Sequence, residues 1–464
     1  MYRFDVVIVG SGPAGVATAE WLHDHEPTIT IAVIERGPLL LRRHFYDSGG
    51  SVRDRDAFFN EHRECPWIGD LSEGGTLLPS LGGRGIVGGS QLHRFYSEDF
   101  TLWKNGSWPI DATQLAPYFS AAEARLLGST RSTGPSQDFV CSTLAKFGAR
   151  HPPSGPAISD PAGVNGGFSH RSSAERLLTL LNPDLSNTEK RIQVFPETVA
   201  IKLVSPRSNS SQVTYVRCVS ARRSEQAAFD IGGSVFVLAA SPVESARLLL
   251  VSDLADARSS SSTVGRYLTE HIYCRGHLDV SGNADIGTGT INAFLPPPGP
   301  HLDERYQIEM RSIAEPDQDR RIVRITGSAA MDPNRDNRVT LATSVYDGYG
   351  VPRASTTLKL STGDQRRTQS MIQAMHDVAT HLNGTWLTPP VVLPRGSSYH
   401  ETGTLRMTAY EQESATDPSG LLRGTTNVFA GDGAAFASVG VANPILTITA
   451  MAYRLATALP GYLT

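Results

Sequence analysis

The fold is decided near the start of the chain, where the sequence runs Phe4-Asp5-Val6-Val7-Ile8-Val9-Gly10-Ser11-Gly12-Pro13-Ala14-Gly15. Its first six residues are mostly apolar and β-branched, which predicts a buried parallel strand. A helical pattern follows the turn, and residues 29–34 predict a second apolar strand that leads into Glu35. A strand, a glycine-rich turn, a helix and a strand in this order predict a βαβ unit that binds a dinucleotide.

The glycines of the turn have separate roles in such a unit. Gly10 permits the tight turn, Gly12 lets the backbone approach a pyrophosphate, and Gly15 lets the helix pack closely against the strand. The helix N-terminus presents free N–H groups to the phosphates, and Glu35 is placed to hydrogen-bond the adenosine ribose. The motif by itself does not distinguish NAD from FAD. The predicted binding residues in this part of the chain also include Pro13, Ala14 and Arg36.

Composition and charge exclude several classes of protein. With 464 residues, of which 40% are hydrophobic, the chain suits two closely joined domains with a sizeable core. Its net charge of −4, without long charge runs, argues against a nucleic-acid or anionic-membrane partner. No stretch approaches ~18 uninterrupted apolar residues, so no membrane span is predicted.

The cysteine pattern and the start of the chain bear on the compartment. The four cysteines are scattered without CxxC spacing, which predicts neither a disulfide framework nor a metal site. A core strand that begins almost at the first residue leaves no room for a signal segment. We therefore expect a cytoplasmic protein.

A second glycine-rich segment covers residues 82–93 and reads Gly-Gly-Arg-Gly-Ile-Val-Gly-Gly-Ser-Gln-Leu-His. This density of glycine lets the main chain run closely along a flat ligand, where side chains would collide with it. A flexible surface loop is the alternative, but Ile86, Val87 and Leu92 lie among the glycines and favour burial.

The C-terminal seventy residues hold the candidate chemistry. His400 stands beside a Gly-Thr turn, and residues 427–433 predict a short strand that ends at Gly431 and Asp432. A long helix is predicted over residues 445–459, with Pro444 in its first turn and Asn443 as a favoured capping residue. Capping does not prevent Asn443 from also binding a ligand.

Two more motifs lie between these regions. Residues 235–249 predict a strand, a turn at Ser241 and a helix, and residues 263–271 end in Glu270-His271. Together with the N-terminal turn, the Gly88-Gly89-Ser90 segment, the sequence from His400 to Met407 and Ala442-Asn443-Pro444, they resemble the glucose–methanol–choline (GMC) oxidoreductase family in content and order. The C-terminal block is most similar to the pyranose oxidase branch. Ser241 and Glu270 replace the family's more usual glycine and aspartate, and residues 120–190 and 275–390 match no motif.

The resemblance implies an α/β fold, with a Rossmann-type FAD-binding domain and an antiparallel-sheet substrate domain. We expect the FAD-binding domain to comprise residues 1–120, 190–272 and 390–464, with a helical or loop insertion at 121–189 and the substrate domain at 273–389. Alternating polar and apolar residues at 305–310 and 321–326 also favour antiparallel strands, and residues 361–382 predict a helix. The Arg and Glu side chains of these strands fit a solvated sheet face better than a substrate-reading surface.

The resemblance also implies FAD as the cofactor and oxidation of an alcohol (CH–OH) to a carbonyl, with hydride transfer to flavin N5. His400 would be the base, because the pKa of histidine lies near the working pH, and Asn443 would hold the substrate oxygen. The helix after Pro444 would stabilise the reduced flavin, Asp432 would bind the ribityl region, and Val199 would meet the adenine. Gly88, Gly89, Ser90 and Gly431 complete the expected cofactor contacts.

Several alternatives stay open in the sequence. His93 falls where some family members attach the flavin covalently, whereas others bind FAD without a covalent bond. The substrate would be a sugar, a glycoside or another polyhydroxylated metabolite, and the electron acceptor oxygen or another molecule. An NAD(P)-dependent reductase, or an FAD-containing member with non-redox lyase chemistry, are the competing functions. The oligomeric state is not encoded in any motif.

Overall fold

A computed structural model describes residues 2–40, 59–87, 92–104, 106–126, 139–140, 142–143, 145, 172–181, 191–206, 211–222, 227–252, 254, 262–283, 292–313 and 320–463. Within these residues the strands are β1 Tyr2–Val9, β2 Ile31–Ile34, β3 Ile68–Gly69, β4 Ile192–Phe195, β5 Thr198–Val204, β6 Tyr215–Ser220, β7 Phe229–Leu238, β8 His271–Asp279, β9 Asn292–Leu295, β10 Tyr306–Ile313, β11 Ile322–Ala330, β12 Arg338–Tyr346, β13 Pro352–Thr357, β14 Thr385–Val392 and β15 Val428–Ala430. The helices are α1 Pro13–His25, α2 Ala112–Leu126, α3 Ser173–Leu180, α4 Pro242–Val251, α5 Thr362–His381 and α6 Ile445–Ala458.

The largest described sheet has the strand order β4-β2-β1-β7-β6-β5, and β15 also pairs with β7. The strands β4, β2, β1, β7 and β15 run parallel, whereas β5 and β6 are antiparallel. Residues 6–9 of β1 and 235–238 of β7 are buried, as expected for central strands covered on both faces. The helices α1 and α6 pack against each other. The predicted βαβ unit is thus present.

A second described sheet has the order β14-β8-β11-β10-β9 and is antiparallel throughout. Helix α5 covers one face of it, and Gly327 permits the close approach, because a Cβ there would lie 2.8 Å from Met371 Cγ. Residues of β8 on the opposite face include His271 and Tyr273, whose rings lie against His400. A small sheet, β12-β13-β3, completes the described strands.

The predicted fold class is confirmed, since a parallel dinucleotide-type sheet and a separate antiparallel sheet are both present. The helices predicted at 361–382 and 445–459 are found as α5 and α6. The exact domain boundaries, including the insertion at 121–189, stay a prediction. No helix within the described ranges combines the length and apolarity needed to cross a membrane.

The expectation of a solvated face on the antiparallel sheet is wrong for Arg305, which is 2% exposed. Glu309, Arg321 and Arg324 are partly exposed. Arg305 is paired with the buried carboxylate of Asp99, which compensates its charge in the interior. The partner lies 206 residues away in the sequence, so alternation along one strand gave no sign of it.

Candidate active site

A long cleft opens at the carboxyl ends of β1, β2 and β7, the edge at which parallel α/β sheets bind ligands. Its atom-free space is about 1350 Å³ with the open mouth included. Predicted site residues in its wall are Gly10, Gly12, Pro13, Ala14, Glu35, Arg36, Val199, His400, Asp432 and Pro444.

The glycine turn is shaped by contacts on one side and open space on the other. Gly10 has φ = 104°, and a Cβ there would lie 2.2 Å from the carbonyl oxygen of Ala239, just beyond β7. A Cβ on Gly15 would lie 2.0 Å from the oxygen of Gly10. A Cβ on Gly12, by contrast, would meet no atom within 4 Å. The turn therefore packs tightly at Gly10 and Gly15 and leaves room for a ligand at Gly12.

Glu35 holds this turn in place. Its carboxylate accepts hydrogen bonds from the backbone N–H and the hydroxyl of Ser11, at 3.1 and 2.6 Å, and from the N–H of Gly37 at 2.9 Å. Burial raises the pKa of Glu35, and these hydrogen bonds act in the opposite direction. A carboxylate has about four acceptor positions, so a ribose hydroxyl can still bind.

The second glycine-rich segment lies against the first. The N–H of Gly82 donates to the hydroxyl of Ser11 at 3.1 Å, and a Cβ on Gly83 would lie 3.3 Å from the Cα of Gly12. The buried Ile86 supports the predicted packing of this segment. Gly88, Gly89 and Ser90 lie outside the described residues.

Asp432 ties the end of β15 to the start of α4. Its carboxylate accepts from the N–H of Ser241 at 3.0 Å, the hydroxyl of Ser245 at 3.1 Å and the N–H of Ala434 at 2.8 Å. Burial raises the pKa of Asp432 to about 6 despite these bonds. Asp432 therefore fixes the local backbone as well as lining the cleft.

His400 is buried in the cleft wall, at 8% exposure. Its Nδ1 lies 2.7 Å from Nδ1 of His271, and Nε2 of His271 lies 3.1 Å from the carbonyl oxygen of Gly440. Burial holds the pKa of His400 well below its usual range, and the neighbouring His271 and Arg84 act in the same direction. The imidazole is therefore neutral at neutral pH and can accept a proton.

The loop that carries His400 is braced from the start of β8. The buried carboxylate of Glu270 accepts from the N–H of Gly396 and from the hydroxyl of Ser398, both at 2.8 Å. The same hydroxyl accepts from the N–H of His400 at 3.1 Å. Burial raises the pKa of Glu270 to about 7. Glu270 and His271 are adjacent in sequence, so one strand end holds both the backbone and the ring of His400.

A buried ion pair lies next to the same loop. The guanidinium of Arg84 is 2.7 Å from the carboxylate of Glu401, whose side chain is fully buried. Arg84 also lies over the ring of Tyr399, at 6.0 Å from its centroid. All three residues line the cleft. The positive charge of Arg84 therefore lies in the same part of the cleft wall as His400.

Asn443 and Pro444 directly precede α6. The amide oxygen of Asn443 accepts from the N–H of Ile445 at 3.3 Å, but the cap residue of α6 is Pro444 and not Asn443 as predicted. The amide N–H₂, the group that could donate to a substrate oxygen, is not used by this bond. Pro444 itself is in the cleft wall, so the helix begins at the cleft.

Four described residues of the predicted site are not part of the cleft wall: Gly15, Gly431, His93 and Asn443. Gly431 has a packing role, because a Cβ there would lie 2.5 Å from Val237 Cγ1. His93 lies near Glu309 of β10, and burial lowers its pKa to about 4 although Glu309 raises it. Covalent attachment of a flavin to His93 therefore stays a prediction.

No role is predicted from sequence for several residues of the site. His271, Glu270 and Arg84 occur within motifs that drew attention for other reasons, and Ser398 and Glu401 flank His400 without a recognised function. Their roles depend on contacts between distant parts of the chain. The local signal that could have indicated them is the polar and ionisable character of residues 398–401.

The cleft fits a dinucleotide in three respects. Open space at Gly12 matches a pyrophosphate, and Glu35 provides acceptors for ribose hydroxyls. Ser241 lines the cleft, and its buried hydroxyl has no hydrogen-bond partner among the described residues. A phosphate or ribityl oxygen would satisfy that hydroxyl.

Comparisons with known proteins agree with this geometry. Residues 333–452 match the family model described as GMC oxidoreductase. Paromamine 6'-oxidase from Streptomyces fradiae is 27% identical over 99% of this chain and 91% of its own length. Pyranose 2-oxidase from Tricholoma matsutake is 29% identical over 36% of this chain and 28% of its own length.

The fold has solved counterparts as well. A formate oxidase variant from Aspergillus oryzae RIB40, solved for the effect of its mutation on FAD modification, superposes with a TM-score of 0.73 at 12% identity. That alignment covers 99% of this chain and 98% of the other. The C-terminal part of the chain thus resembles the GMC oxidoreductases, and its fold as a whole resembles that of the formate oxidase variant.

Proposed function

We propose that the protein oxidises a hydroxyl group of a sugar or glycoside to a carbonyl, with His400 as the base. The observation that carries this proposal is the neutral, buried imidazole of His400 in the wall of the cofactor cleft. The names of the relatives, paromamine 6'-oxidase and pyranose 2-oxidase, support a sugar-like substrate. The oxidase names also support oxygen as the electron acceptor.

Different groups of residues would bind the different parts of FAD. Gly10, Gly12, Pro13 and Ala14 would hold the pyrophosphate, with the N-terminus of α1 supplying N–H groups and a positive dipole end. Glu35 and Arg36 would contact the adenosine, together with Val199, and Asp432 the ribityl chain. Gly88, Gly89 and Ser90 would complete the cofactor contacts.

Bound FAD supplies a hydride acceptor for the carbinol carbon. His400 removes the hydroxyl proton, and the amide N–H₂ of Asn443 holds the oxygen as its negative charge develops. The N-terminus of α6 directly follows Pro444 in the cleft wall, and its dipole would stabilise negative charge there. Burial of His400 at 8% exposure excludes bulk water from the base.

Anaerobic mixing tests the proposal directly. The purified yellow protein is mixed without oxygen with a panel of aldoses, methyl glycosides and amino sugars, and flavin absorbance near 450 nm is followed. Loss of the absorbance with at least one sugar supports the proposal, and admitted air should restore the colour. Conversion of a sugar while the flavin stays oxidised would instead support the lyase alternative.

The match of residues 333–452 to the GMC oxidoreductase model favours this function over an NAD(P)-dependent reductase. The covalent bond at His93 stays a proposal that the mass of the denatured chain tests. An unmodified mass contradicts it.

A cytoplasmic location also stays a proposal. Its support is that Cys65, Cys218 and Cys274, the cysteines among the described residues, are all free thiols.

A further inference from the structure

We propose that His271 is a positioning residue that keeps the proton of His400 on Nδ1 and so leaves Nε2 of His400 as the base. The inference rests on the proposed function, because it assigns a role in the same reaction. Its basis is the contact between the two rings. Their Nδ1 atoms are 2.7 Å apart, and the ring planes are inclined at 83°.

The direction of this hydrogen bond follows from the group on the far side of His271. Nε2 of His271 lies 3.1 Å from the carbonyl oxygen of Gly440. A carbonyl oxygen only accepts, so Nε2 of His271 carries a proton. A neutral imidazole has a single N–H, so Nδ1 of His271 has a lone pair. It therefore accepts a hydrogen bond from Nδ1–H of His400.

Both rings are neutral in this arrangement. His271 is 1% exposed, and burial lowers its pKa to about 4 although the bond to Gly440 raises it. A charged His271 would donate from both nitrogens and reverse the bond to His400. That state would bury a second cation near Arg84, whose charge already lowers the pKa of His400. Burial thus selects one direction for the chain of hydrogen bonds.

The carbonyl that orients His271 is itself held by packing. Gly440 has φ = 64°, and a Cβ at this position would lie 2.7 Å from the ring of Phe95. Phe95 is buried among other aromatic rings, including that of Trp108. The acceptor at the end of the chain therefore has a fixed position, and the proton on Nε2 of His271 follows from it.

The consequence concerns the nitrogen that remains. With Nδ1 of His400 occupied as a donor, Nε2 holds the lone pair that can take a substrate proton. The substrate O–H bond breaks, its electrons stay on oxygen to form the carbonyl, and the carbinol hydrogen leaves with its electron pair to the cofactor. The resulting imidazolium of His400 keeps its bond to His271, which becomes charge-assisted and stronger.

A purely structural role for His271 is distinguished by two substitutions. His271→Phe keeps a buried ring of similar size and removes the acceptor. His271→Asn is smaller and packs less well, but its amide oxygen can accept near the former Nδ1 position. If His271 acts only by packing, the Phe variant is the less damaged of the two. If it acts by accepting a hydrogen bond, the Asn variant is the less damaged.

The tautomer is read by two-bond ¹H–¹⁵N correlation NMR of the FAD-bound protein labelled with ¹⁵N-histidine. Signals are assigned by their loss in H400Q and H271F. We expect protonated Nδ1 and unprotonated Nε2 for His400 in the unsubstituted protein, and a mixed or reversed tautomer in H271F. Anaerobic flavin reduction should slow on the order of 10²-fold in H271F, with unchanged substrate affinity, and recover at least partly in H271N.

Two results overturn the inference. One is a proton on Nε2 of His400 in the unsubstituted protein. The other is an unchanged tautomer and reduction rate in H271F. The NMR result does not depend on turnover. If the tautomer is as stated but H400Q reduces its flavin at the normal rate, the proposed function fails while the hydrogen-bond assignment stands.

Discussion

At the scale of single residues, the site depends on backbone positions as much as on functional groups. Ser241 has φ = 83° and ψ = 149°, in a region that is almost restricted to glycine. It stands in the turn before α4, where the sequence pattern would favour glycine. Its N–H is held by Asp432 at 3.0 Å, so the surrounding structure imposes the conformation.

We predict that Ser241→Gly stabilises the protein by about 1 kcal/mol, because relief of the strain exceeds the entropy cost of glycine in the unfolded chain. Urea denaturation measures this free energy of unfolding. Ser241→Ala is the matched control, since it removes the same hydroxyl and keeps the strain. An equal gain in both variants would show that the hydroxyl, and not the backbone, is responsible.

Gly12 and Gly15 offer a matched pair in the first turn. Gly12 has ordinary extended backbone angles and open space beside it, whereas a Cβ on Gly15 would lie 2.0 Å from the oxygen of Gly10. We predict that Gly12→Ala folds normally but retains less FAD, because its methyl group occupies the space of the pyrophosphate. Gly15→Ala should lower the melting temperature as well. Flavin content and thermal unfolding separate the two effects, and normal FAD content in Gly12→Ala would contradict the assignment.

At the scale of elements, the start of β8 and the loop from 396 to 402 form one unit. Thr269 and Thr402 bond through their hydroxyls at 2.9 Å and through their backbones. Glu270 adds its bonds to Gly396 and Ser398. The unit holds His400 in place although its two halves are distant in sequence.

This unit makes stability depend on pH. The pKa of Glu270 is raised to about 7 from 4.5 in the unfolded chain, so the folded protein binds the proton more tightly. The contribution is complete below pH 4.5 and is lost as pH rises to about 7. We predict that Glu270 lowers the free energy of unfolding of the unsubstituted protein by on the order of 3 kcal/mol as pH rises over this range. The Glu270→Gln variant should not show this decline. Equal pH slopes would show that Glu270 does not titrate there.

At the scale of the whole molecule, local sequence patterns predict the elements but not their meeting points. The apolar run of β1 and the glycine turn predict the parallel sheet, because both signals lie within fifteen residues. The period of α5 and the capping sequence of α6 are equally local. The resemblance to the GMC family then connects the N-terminal turn with His400 and Asn443.

The remaining parts of the site depend on distant contacts. His271 and His400 are 129 residues apart, and Arg305 pairs with an aspartate 206 residues away. No periodicity in the sequence encodes such pairs, because they are set by how β8 and β10 pack beside the parallel sheet. The burial of Arg305 was missed for this reason, as was the role of His271.

The central claim is that His400 is the base for alcohol oxidation by bound FAD. The most direct measurement is the rate of anaerobic flavin reduction in His400→Gln, with His381→Gln on the exposed side of α5 as the control. We predict a loss of about 10²–10⁴-fold in His400→Gln with normal FAD content, and an unchanged rate in the control. An unchanged reduction rate in His400→Gln would contradict the account.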